Sequence, residues 1–341
     1  MAAEGLRFDL TVPLARFYAT HGPALPSPFR VFQLGPVWRA ERPQRGRWRQ
    51  FTQCDIDIIG EPSILAETEL ITATCKALNA VGLPGYRVRI NDRRLLNALL
   101  EAWGFGAAEA PGVLITIDKI DKIGLDGVTE TLHKAGHSSA AIDRLAQTLG
   151  SAAGITEIKT FTNLVGSLVP DTCKESLDEL GTLFRATDSG TGTLVPDLSL
   201  VRGMGYYTGP IFEIEATGLN ASIGGGGRYD GMIGRFTRDS APACGFSLGF
   251  ERLVEVLPAA QAASRARRIA VLFRPDQPLS HLLTDAARPR SETGSIVEVV
   301  PITGRGKGVY KRLTANGFDQ VTDALSGQPP RALNRGGPVD A

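Results

Sequence analysis

Cysteine and histidine are both scarce in this sequence, which excludes several kinds of site. The 341 residues contain four cysteines and four histidines. The cysteines form no C-x-x-C pair, so neither a disulfide framework nor a zinc site is expected; they are Cys54, Cys75, Cys173 and Cys244. His133 and His137 are four residues apart, but no nearby carboxylate completes a metal-binding set. We therefore expect no metal ligands from the protein.

Long apolar runs and a strong charge imbalance are also lacking. No window of about 18 uncharged apolar residues occurs, which argues against a membrane span. The N-terminus lacks the basic and then apolar pattern of a signal peptide, so we expect no membrane partner and a cytoplasmic location. The formal net charge is +1. It neither supports nor excludes a nucleic-acid partner, because a local basic patch can bind phosphate.

Two predicted strands joined by an arginine-rich loop form the most informative stretch. Residues 29–38 and 48–59 are apolar runs with β-forming residues, and the loop between them contains Pro43 and Gly46. Successive side chains of a strand point to opposite faces. Even positions of the second strand direct apolar side chains toward a core. Odd positions form a polar face, whose members are Arg47, Arg49, Phe51, Gln53, Asp55 and Asp57.

This polar face combines groups that suit two different ligands. Arginine has a planar fork of donors that fits phosphate oxygens, and an aromatic ring beside it can stack on a nucleobase. Carboxylates farther along the strand can hold a cationic or hydrogen-bonding molecule. The pattern predicts a nucleotide at one end and a small polar molecule at the other. The alternative is a solvated strand face with surface ion pairs that contribute little to stability.

The remaining segments differ in pattern, and the length of the chain allows two or three domains. Residues 63–81 and 92–103 have the pattern of helices, the second with an apolar face. Residues 104–197 contain several runs with helical spacing. Residues 267–325 have the pattern of a short α/β unit. The end of the chain from Ser326 is rich in Pro and Gly and is predicted to be disordered.

Several motifs carry a resemblance to a known family. Residues 38–57 (WRAERPQRGRWRQFTQCDID) resemble motif 2 of the histidyl-tRNA synthetases, which are class II aminoacyl-tRNA synthetases. Residues 200–213 and 224–231 (GGGGRYDG) resemble the two histidine motifs of that family. Residues 244–252 resemble motif 3, a strand that leads into a helix, and residues 6–17 resemble the segment just after motif 1.

The resemblance implies an α+β fold, the antiparallel-sheet core of class II aminoacyl-tRNA synthetases with a helical insertion and a small α/β C-terminal tail. The catalytic core would comprise residues 1–103 and 198–260, and the helical insertion would be residues 104–197. Residues 267–325 would form a partial anticodon-binding-like domain, followed by a disordered tail at 326–341. In the family, the inserted domain contacts the acceptor arm of the tRNA.

The resemblance also implies an activity, that of a histidine–tRNA ligase. Histidine and ATP, with Mg²⁺, would give histidyl-adenylate and pyrophosphate, and the histidyl group would then pass to tRNA(His). The catalytic residues would be Arg39 and Arg202. The ATP-binding residues would be Arg39, Glu41, Arg47, Phe51 and Arg252. The histidine-binding residues would be Asp9, Thr11, Gln53, Asp57, Arg202, Tyr207, Gly226 and Tyr229. For Asp9 and Thr11, the alternative role is only to cap the following helix.

Three features depart from the family pattern. The chain begins after motif 1, which builds the homodimer interface in the family, and its last unit is short. An aspartate of the first histidine motif is replaced by Gly205, which removes an orienting neighbour of Arg202. Two alternatives therefore stay open: a non-catalytic histidine-binding regulatory paralogue and a truncated inactive remnant. The presence of Arg39 and Arg252, which would contact ATP, favours the ligase.

Overall fold

The structure of the protein is a computed structural model, and its described residues lie in two compact units, Met1–Leu257 and Pro258–Ala341. The described residues are 4–40, 42–83, 85–202, 205–219, 221–237, 240–257, 267–274, 286–287, 289, 295–302, 308–324, 326 and 328–333.

The first unit combines helices with seven strands. The strands are β1 (Phe29–Trp38), β2 (Gln50–Ile59), β3 (Tyr86–Asp92), β4 (Thr193–Pro196), β5 (Pro210–Ala216), β6 (Ser222–Arg228) and β7 (Ala243–Gly249). The helices are α1 (Thr11–His21), α2 (Leu65–Ala80), α3 (Arg93–Trp103), α4 (Ala110–Ile117), α5 (Ile120–Lys134), α6 (Ser139–Ala152), α7 (Ile158–Gly166), α8 (Lys174–Ala186) and α9 (Phe250–Val256). Within the described ranges, no helix is long and apolar enough to cross a bilayer.

The seven strands form one sheet in the order β1-β2-β7-β6-β5-β3-β4. Neighbouring strands are antiparallel except β3 and β4, which are parallel. Strands from distant parts of the chain, such as β2 and β7, therefore lie side by side at the centre of the sheet. This arrangement confirms the predicted α+β fold with an antiparallel-sheet core.

The β1–β2 hairpin has the alternation that the sequence predicts. Its register runs from Phe29 opposite Ile59 to Trp38 opposite Gln50. On one face of β2, Ile58 is buried in the core and Ile56 packs against that core. The odd positions of β2 point to the opposite face of the sheet, where the cleft described below lies.

Four successive glycines lie in a strand at the centre of the sheet. Taken alone, four glycines are typical of a turn, but Gly224–Gly227 belong to β6 and pair with both β5 and β7. A Cβ atom on Gly224 would lie 2.6 Å from the carbonyl oxygen of Ser247, and one on Gly226 would overlap the carbonyl of Gly245. The glycines are needed because backbone atoms of the neighbouring strand occupy that space.

The helices that follow β3 share a core with the sheet. The N-cap of α3 is Asp92, whose carboxylate accepts a hydrogen bond from the backbone N–H of Arg94 at 2.7 Å. The helix ends at Gly104, which has a φ of 97°. The apolar face of α3 is buried, as its spacing predicts. It joins one cluster with residues of α4 to α8 and of the sheet.

The predicted helical insertion, residues 104–197, contains helices α4 to α8 and also β4, a strand of the main sheet. Since contacts divide the chain only near residue 257, the boundaries of a separate insertion domain stay a prediction.

The second unit is a small α/β arrangement. Its elements are β8 (Arg267–Phe273), β9 (Ser295–Pro301), α10 (Val309–Ala315), β10 (Gln320–Asp323) and β11 (Arg331–Ala332). The sheet order is β11-β10-β8-β9, and β8 is parallel to both of its neighbours. Alternate residues of β8 enter two different apolar clusters, so both faces of its sheet are covered. Strand β11 lies within the segment 326–341 that the composition predicts to be disordered, and residues 334–341 lie outside the described part of the chain.

A buried ion pair connects strand β6 to helix α2. The Arg228 Nε lies 2.6 Å from Oε1 of Glu67, and its Nη2 lies 2.8 Å from Oε2. The Glu67 side chain is fully buried and that of Arg228 is 8% exposed. The guanidinium also donates to the backbone carbonyls of Glu61 and Ser63. Because the guanidinium of Arg228 has hydrogen-bond acceptors on several sides, the ion pair holds the end of β6 against α2.

Replacing Glu67 with glutamine should destabilise the first unit by about 3–5 kcal/mol, because Arg228 then loses its main buried counter-charge. The matched control on the same helix is Glu69→Gln. It breaks an ion pair with Arg30 in which the side chains are 40% and 46% exposed, and it should cost at most about 1 kcal/mol. Urea unfolding followed by circular dichroism measures both losses. Equal losses in the two variants would contradict a special role for the buried pair.

Candidate active site

A cleft on one face of the first sheet brings together the residues that the motifs predict for the site. Its walls come from the start of α1, the β1–β2 hairpin, β6, β7 and the start of α9. Among the predicted site residues, the cleft is lined by Asp9, Thr11, Arg39, Arg47, Phe51, Gln53, Asp57, Arg202, Tyr207, Gly226, Tyr229 and Arg252. Glu41 lies outside the described residues. The individual roles of these residues stay predictions.

Arg39 lies between two aromatic rings at the hairpin end of the cleft. Its Cζ is 4.5 Å from the ring centroid of Phe8 and 4.9 Å from that of Phe51. Its Nε also donates a hydrogen bond to the carbonyl oxygen of Phe8 at 3.3 Å. Cation–π contacts on two sides hold the guanidinium in one position. This end of the cleft therefore offers a fixed cation and the half-buried ring of Phe51, which suit a phosphate and a nucleobase.

The start of α9 is bound to the hairpin by two adjacent charged residues. The Arg252 Nε donates to the carbonyl of Gly46 at 2.6 Å, and its Nη1 donates to that of Ser222 at 2.8 Å. Both carboxylate oxygens of Glu251 accept from the backbone N–H of Thr52 at 2.9 Å. These bonds orient Arg252 toward the hairpin loop. The structural role of Glu251 could not be read from its motif, since its partner lies in a distant strand.

The opposite end of the cleft is acidic and aromatic. Asp57 is 3% exposed, and its Oδ1 accepts a hydrogen bond from the Tyr229 hydroxyl at 2.7 Å. The ring of Tyr206 lies 4.8 Å from that of Tyr207 and 6.2 Å from that of Tyr229, measured between centroids. The three rings and the buried carboxylate line one pocket of the cleft together. Such a pocket fits a small ring that carries a hydrogen-bond donor.

Asp55 is a further residue of the cleft that the motifs did not predict. It lies two residues from Asp57 on the same face of β2 and is 2% exposed. Its Oδ1 accepts no hydrogen bond from the described part of the chain. The neighbouring Gln53 donates from Nε2 to the Ser247 hydroxyl at 2.6 Å. The alternation of β2 already places Asp55 on the polar face with Gln53 and Asp57, whereas the motifs assign it no role.

Burial raises the pKa of both Asp55 and Asp57 to about 7. The hydrogen bond from Tyr229 to Asp57 acts in the opposite direction, but it does not offset the loss of hydration. The carboxylate of Asp9 raises both pKa values further. A cation that entered this end of the cleft would stabilise the ionised carboxylates.

Arg202 is held by contacts on several sides. Its backbone has a φ of 54°, and the preceding segment is anchored by Asn91, whose side-chain amide donates to the carbonyl of Leu200 at 3.0 Å. The Nη1 of Arg202 donates to Oε2 of Glu213 at 2.8 Å. The guanidinium lies over Gly225, where a Cβ atom would overlap it. Glu213 therefore supplies an orienting carboxylate that the sequence comparison at Gly205 did not reveal.

Two predicted residues have features that their motifs left open. Asp9 accepts a hydrogen bond from the backbone N–H of Val12 at 3.0 Å, so it caps the first turn of α1 and lines the cleft as well. Gly226 contributes backbone to the cleft. A Cβ atom there would point toward the core and overlap the ring of Phe212.

The described residues contain no group of three or more His, Cys, Asp or Glu side chains that could hold a metal ion.

The raised pKa values predict a pH-dependent effect of removing these carboxylates. An unfolded aspartate has a pKa of about 3.9, so the folded protein binds more protons between about pH 4 and pH 7. Stability from this source is present at the acidic end and is lost as the pH rises. We expect Asp55→Asn to become more stable relative to the unmodified protein between about pH 5 and pH 7.5, by about 2.5 kcal/mol.

Urea unfolding at the two pH values measures this change for Asp55→Asn and for Asp57→Asn. The control is Asp143→Asn on an exposed position of α6, for which the difference from the unmodified protein should not vary with pH. A difference that is equally constant for Asp55→Asn would contradict the shifted titration.

Known proteins match this chain in sequence and in fold. The family model described as histidyl-tRNA synthetase matches residues 3–253. A histidine–tRNA ligase of Leifsonia xyli subsp. xyli is 45% identical over 97% of this chain and 77% of its own length. A probable histidine–tRNA ligase of Tropheryma whipplei is 46% identical over 74% of this chain and 61% of its own length. A histidine–tRNA ligase of Aeropyrum pernix is 41% identical over 73% of this chain and 57% of its own length. The matches thus span between 57% and 77% of these relatives.

Solved structures show the same fold. An ATP phosphoribosyltransferase regulatory subunit/histidyl-tRNA synthetase from Bacillus halodurans has a TM-score of 0.71 at 25% identity, covering 93% of this chain and 78% of that chain. A histidyl-tRNA synthetase from Nostoc sp. PCC 7120 has a TM-score of 0.72 at 23% identity, covering 92% and 74%. On the family model and the identity to its relatives, this chain belongs to the histidyl-tRNA synthetase family.

Proposed function

We propose that this chain is a histidine–tRNA ligase, which joins histidine to ATP as histidyl-adenylate and then transfers the histidyl group to tRNA(His). The observation that carries the proposal is the cleft itself. One sheet face holds arginines and an aromatic ring at one end and buried carboxylates with tyrosines at the other. The family relatives are named for this same activity.

In the first step, a carboxylate oxygen of histidine attacks the α-phosphorus of ATP and pyrophosphate leaves. Such a reaction depends chiefly on positioning and on stabilising negative charge. Arg39 binds the α-phosphate, and Arg202 stabilises the charge that develops on it in the transition state. The ring of Phe51 stacks on adenine. The β- and γ-phosphates are bound by Arg47 and Arg252.

Magnesium enters as the counter-ion of ATP. The described residues offer no set of carboxylates or histidines for a resident metal ion, and the carboxylate of Glu251 is already bound to the backbone of Thr52. The phosphates of ATP would therefore be the main ligands of Mg²⁺, which would offset part of their negative charge. Glu41, which the motif associates with adenine or Mg²⁺, lies outside the described residues.

The acidic end of the cleft binds histidine. The imidazole N–H donates to Asp57 or to the tyrosine hydroxyls of Tyr207 and Tyr229, because these are the acceptors in this pocket. The α-amino and carboxylate groups are bound by Asp9, Thr11 and Gln53. We add Asp55, which lines the same cleft and whose buried Oδ1 accepts no hydrogen bond from the described residues. A ligand with a positive α-ammonium group offsets the negative charge that these carboxylates bring together.

The second step and the cellular context are proposed on the basis of the family. The 3′-terminal ribose hydroxyl of tRNA(His) attacks the carbonyl carbon of histidyl-adenylate and releases AMP. The helical segment 104–197 contacts the acceptor arm, and the second unit carries a partial anticodon-binding function. The protein acts in the cytoplasm as a homodimer.

A second candidate function is histidine binding by a regulatory paralogue. One solved structure of similar fold is described both as an ATP phosphoribosyltransferase regulatory subunit and as a histidyl-tRNA synthetase. A regulatory subunit needs only the acidic end of the cleft. In this chain Arg39, Arg202 and Arg252 all line the same cleft, which favours the ligase over both the regulatory paralogue and an inactive remnant.

The purified protein should catalyse histidine-dependent exchange between ATP and pyrophosphate. Arg39→Ala should lower kcat by about 100- to 1000-fold, as the loss of one transition-state donor does elsewhere. The matched control is Arg30→Ala in β1, the strand that precedes Arg39. The partner of Arg30 is the partly exposed Glu69, and the change should leave kcat within about twofold. No exchange from a folded sample would contradict the proposal, and a histidine-binding titration would then separate a regulatory paralogue from a remnant.

Asp57 should determine selectivity for histidine. Asp57→Asn should lower kcat/KM for histidine by about 10- to 100-fold, because it removes a charge-assisted acceptor worth about 1.5–3 kcal/mol. The KM for ATP should stay within about twofold, since the phosphates bind at the other end of the cleft. Tyr229→Phe, which removes one neutral hydrogen bond, should have a smaller effect. An equal increase in both KM values for Asp57→Asn would contradict this assignment.

A further inference from the structure

Outside the cleft, the first sheet contains one arginine surrounded by four carboxylates. The side chain of Arg89 in β3 is only 6% exposed. Its nitrogens lie 2.6 Å from Asp197, 2.8 Å from Asp121, 2.7 Å from Glu215 and 3.7 Å from Glu213. A buried guanidinium persists only when such partners compensate for its lost hydration. The proposed reaction does not use this cluster directly.

The partners of Arg89 come from separate parts of the fold. Glu213 and Glu215 belong to β5, and Asp197 follows β4. Asp121 lies in the first turn of α5, within the helical segment 104–197. The guanidinium of Arg89 in β3 therefore joins the end of the edge strand β4, the neighbouring strand β5 and the helical segment.

The cluster reaches the cleft through Glu213. One oxygen, Oε1, lies 3.7 Å from Nη1 of Arg89, and the other, Oε2, accepts from Nη1 of Arg202 at 2.8 Å. Glu213 thus stands between two arginines, one of which lines the cleft. Its own side chain is 21% exposed, so neither ion pair is strongly screened by water.

Strand register explains why these groups meet. Arg89 is directly opposite Glu213, and Glu213 is directly opposite Gly225 on the next strand. Residues opposite each other in an antiparallel pair share a face. Since Gly225 has no side chain, the guanidinium of Arg202 occupies the third place in this row. Arg89, Glu213 and Arg202 thus form a continuous row of charged groups from β3 to the cleft.

We propose that Arg89 is a positioning residue for Arg202, which it orients through Glu213, and that Asp121 couples the helical segment to this pair. The inference rests on the proposed function, because Arg202 is assigned there to the transition state. Without Arg89, the carboxylate of Glu213 would face Glu215 and Asp197 with no cation between them and would turn away from its present orientation. Arg202 would follow, and a displacement of about 1 Å is enough to cost a large part of the rate.

The test measures kcat and both KM values of the exchange reaction for Arg89→Lys. Lysine keeps the charge but lacks the planar fork that bridges several carboxylates. We expect kcat to fall about 10- to 100-fold, with both KM values within about twofold, because the interaction matters in the transition state. The matched control is Arg87→Lys, two residues away on the same strand, whose 65% exposed side chain pairs with Glu215. It should leave kcat unchanged.

A double-mutant comparison separates positioning from a general loss of stability. Single-turnover formation of adenylate is measured for Arg89→Lys in the background of Arg202→Lys. If Arg89 acts through Arg202, the second change should cost less than about twofold. If the full 10- to 100-fold loss appears again, or if KM alone changes, the proposal is overturned.

Asp121→Asn provides a variant that is expected to fold, since the Asp121 side chain is 63% exposed. It should lower kcat by about two- to fivefold, and this effect should vanish in the Arg202→Lys background. Thermal unfolding shows which variants are folded. If Arg89→Lys is unfolded, the Asp121→Asn comparison decides, and an unchanged kcat there overturns the proposal. An inactive unmodified protein would instead count against the proposed function.

Discussion

The close pairing of β5, β6 and β7, with glycine at the positions that face the cleft, is the constraint on which the site depends. Gly225 leaves room for the guanidinium of Arg202, and Gly245 leaves room for the carboxylate of Asp57. On the core face, Gly224 and Gly226 allow the backbones to approach. Glycine in a strand loses conformational entropy and packs nothing. Here the vacated space is filled by Arg202 and Asp57, two side chains that line the cleft.

The cleft separates charge along its length because one hairpin supplies both ends. Arg39 at the hairpin is fixed between aromatic rings, whereas Asp55 and Asp57 are buried deeper on β2 with pKa values raised to about 7. An anionic triphosphate and a cationic amino group are therefore drawn to opposite ends. In the proposed reaction, this polarity directs the carboxylate of histidine toward the α-phosphate, which Arg39 and Arg202 bind.

Much of the fold and most of the predicted cleft residues could be recognised from sequence because their signals are local. The alternation of β2, the apolar face of α3 and the motif 3 strand followed by a helix all depend on neighbours in the chain. Residues such as Glu213 and Arg89 gave no such signal. Their partners lie across strands whose register is set by pairing between segments far apart in sequence. The four glycines of β6, taken alone, are typical of a turn. They form a strand only because they pair with β5 and β7, which lie elsewhere in the sequence.

The sequence by itself determined the family and the α+β class, because several of its motifs resemble those of histidyl-tRNA synthetases. It also determined the chemistry of one strand face, because arginine, aromatic and carboxylate side chains recur there with a period of two. Only the tertiary structure decided which of these groups meet and in what state. Burial in the assembled sheet raises the pKa of Asp57, and strand pairing places Glu213 between Arg202 and Arg89. Desolvation and cross-strand charge pairing arise only when distant segments pack together, so composition and spacing cannot reveal them.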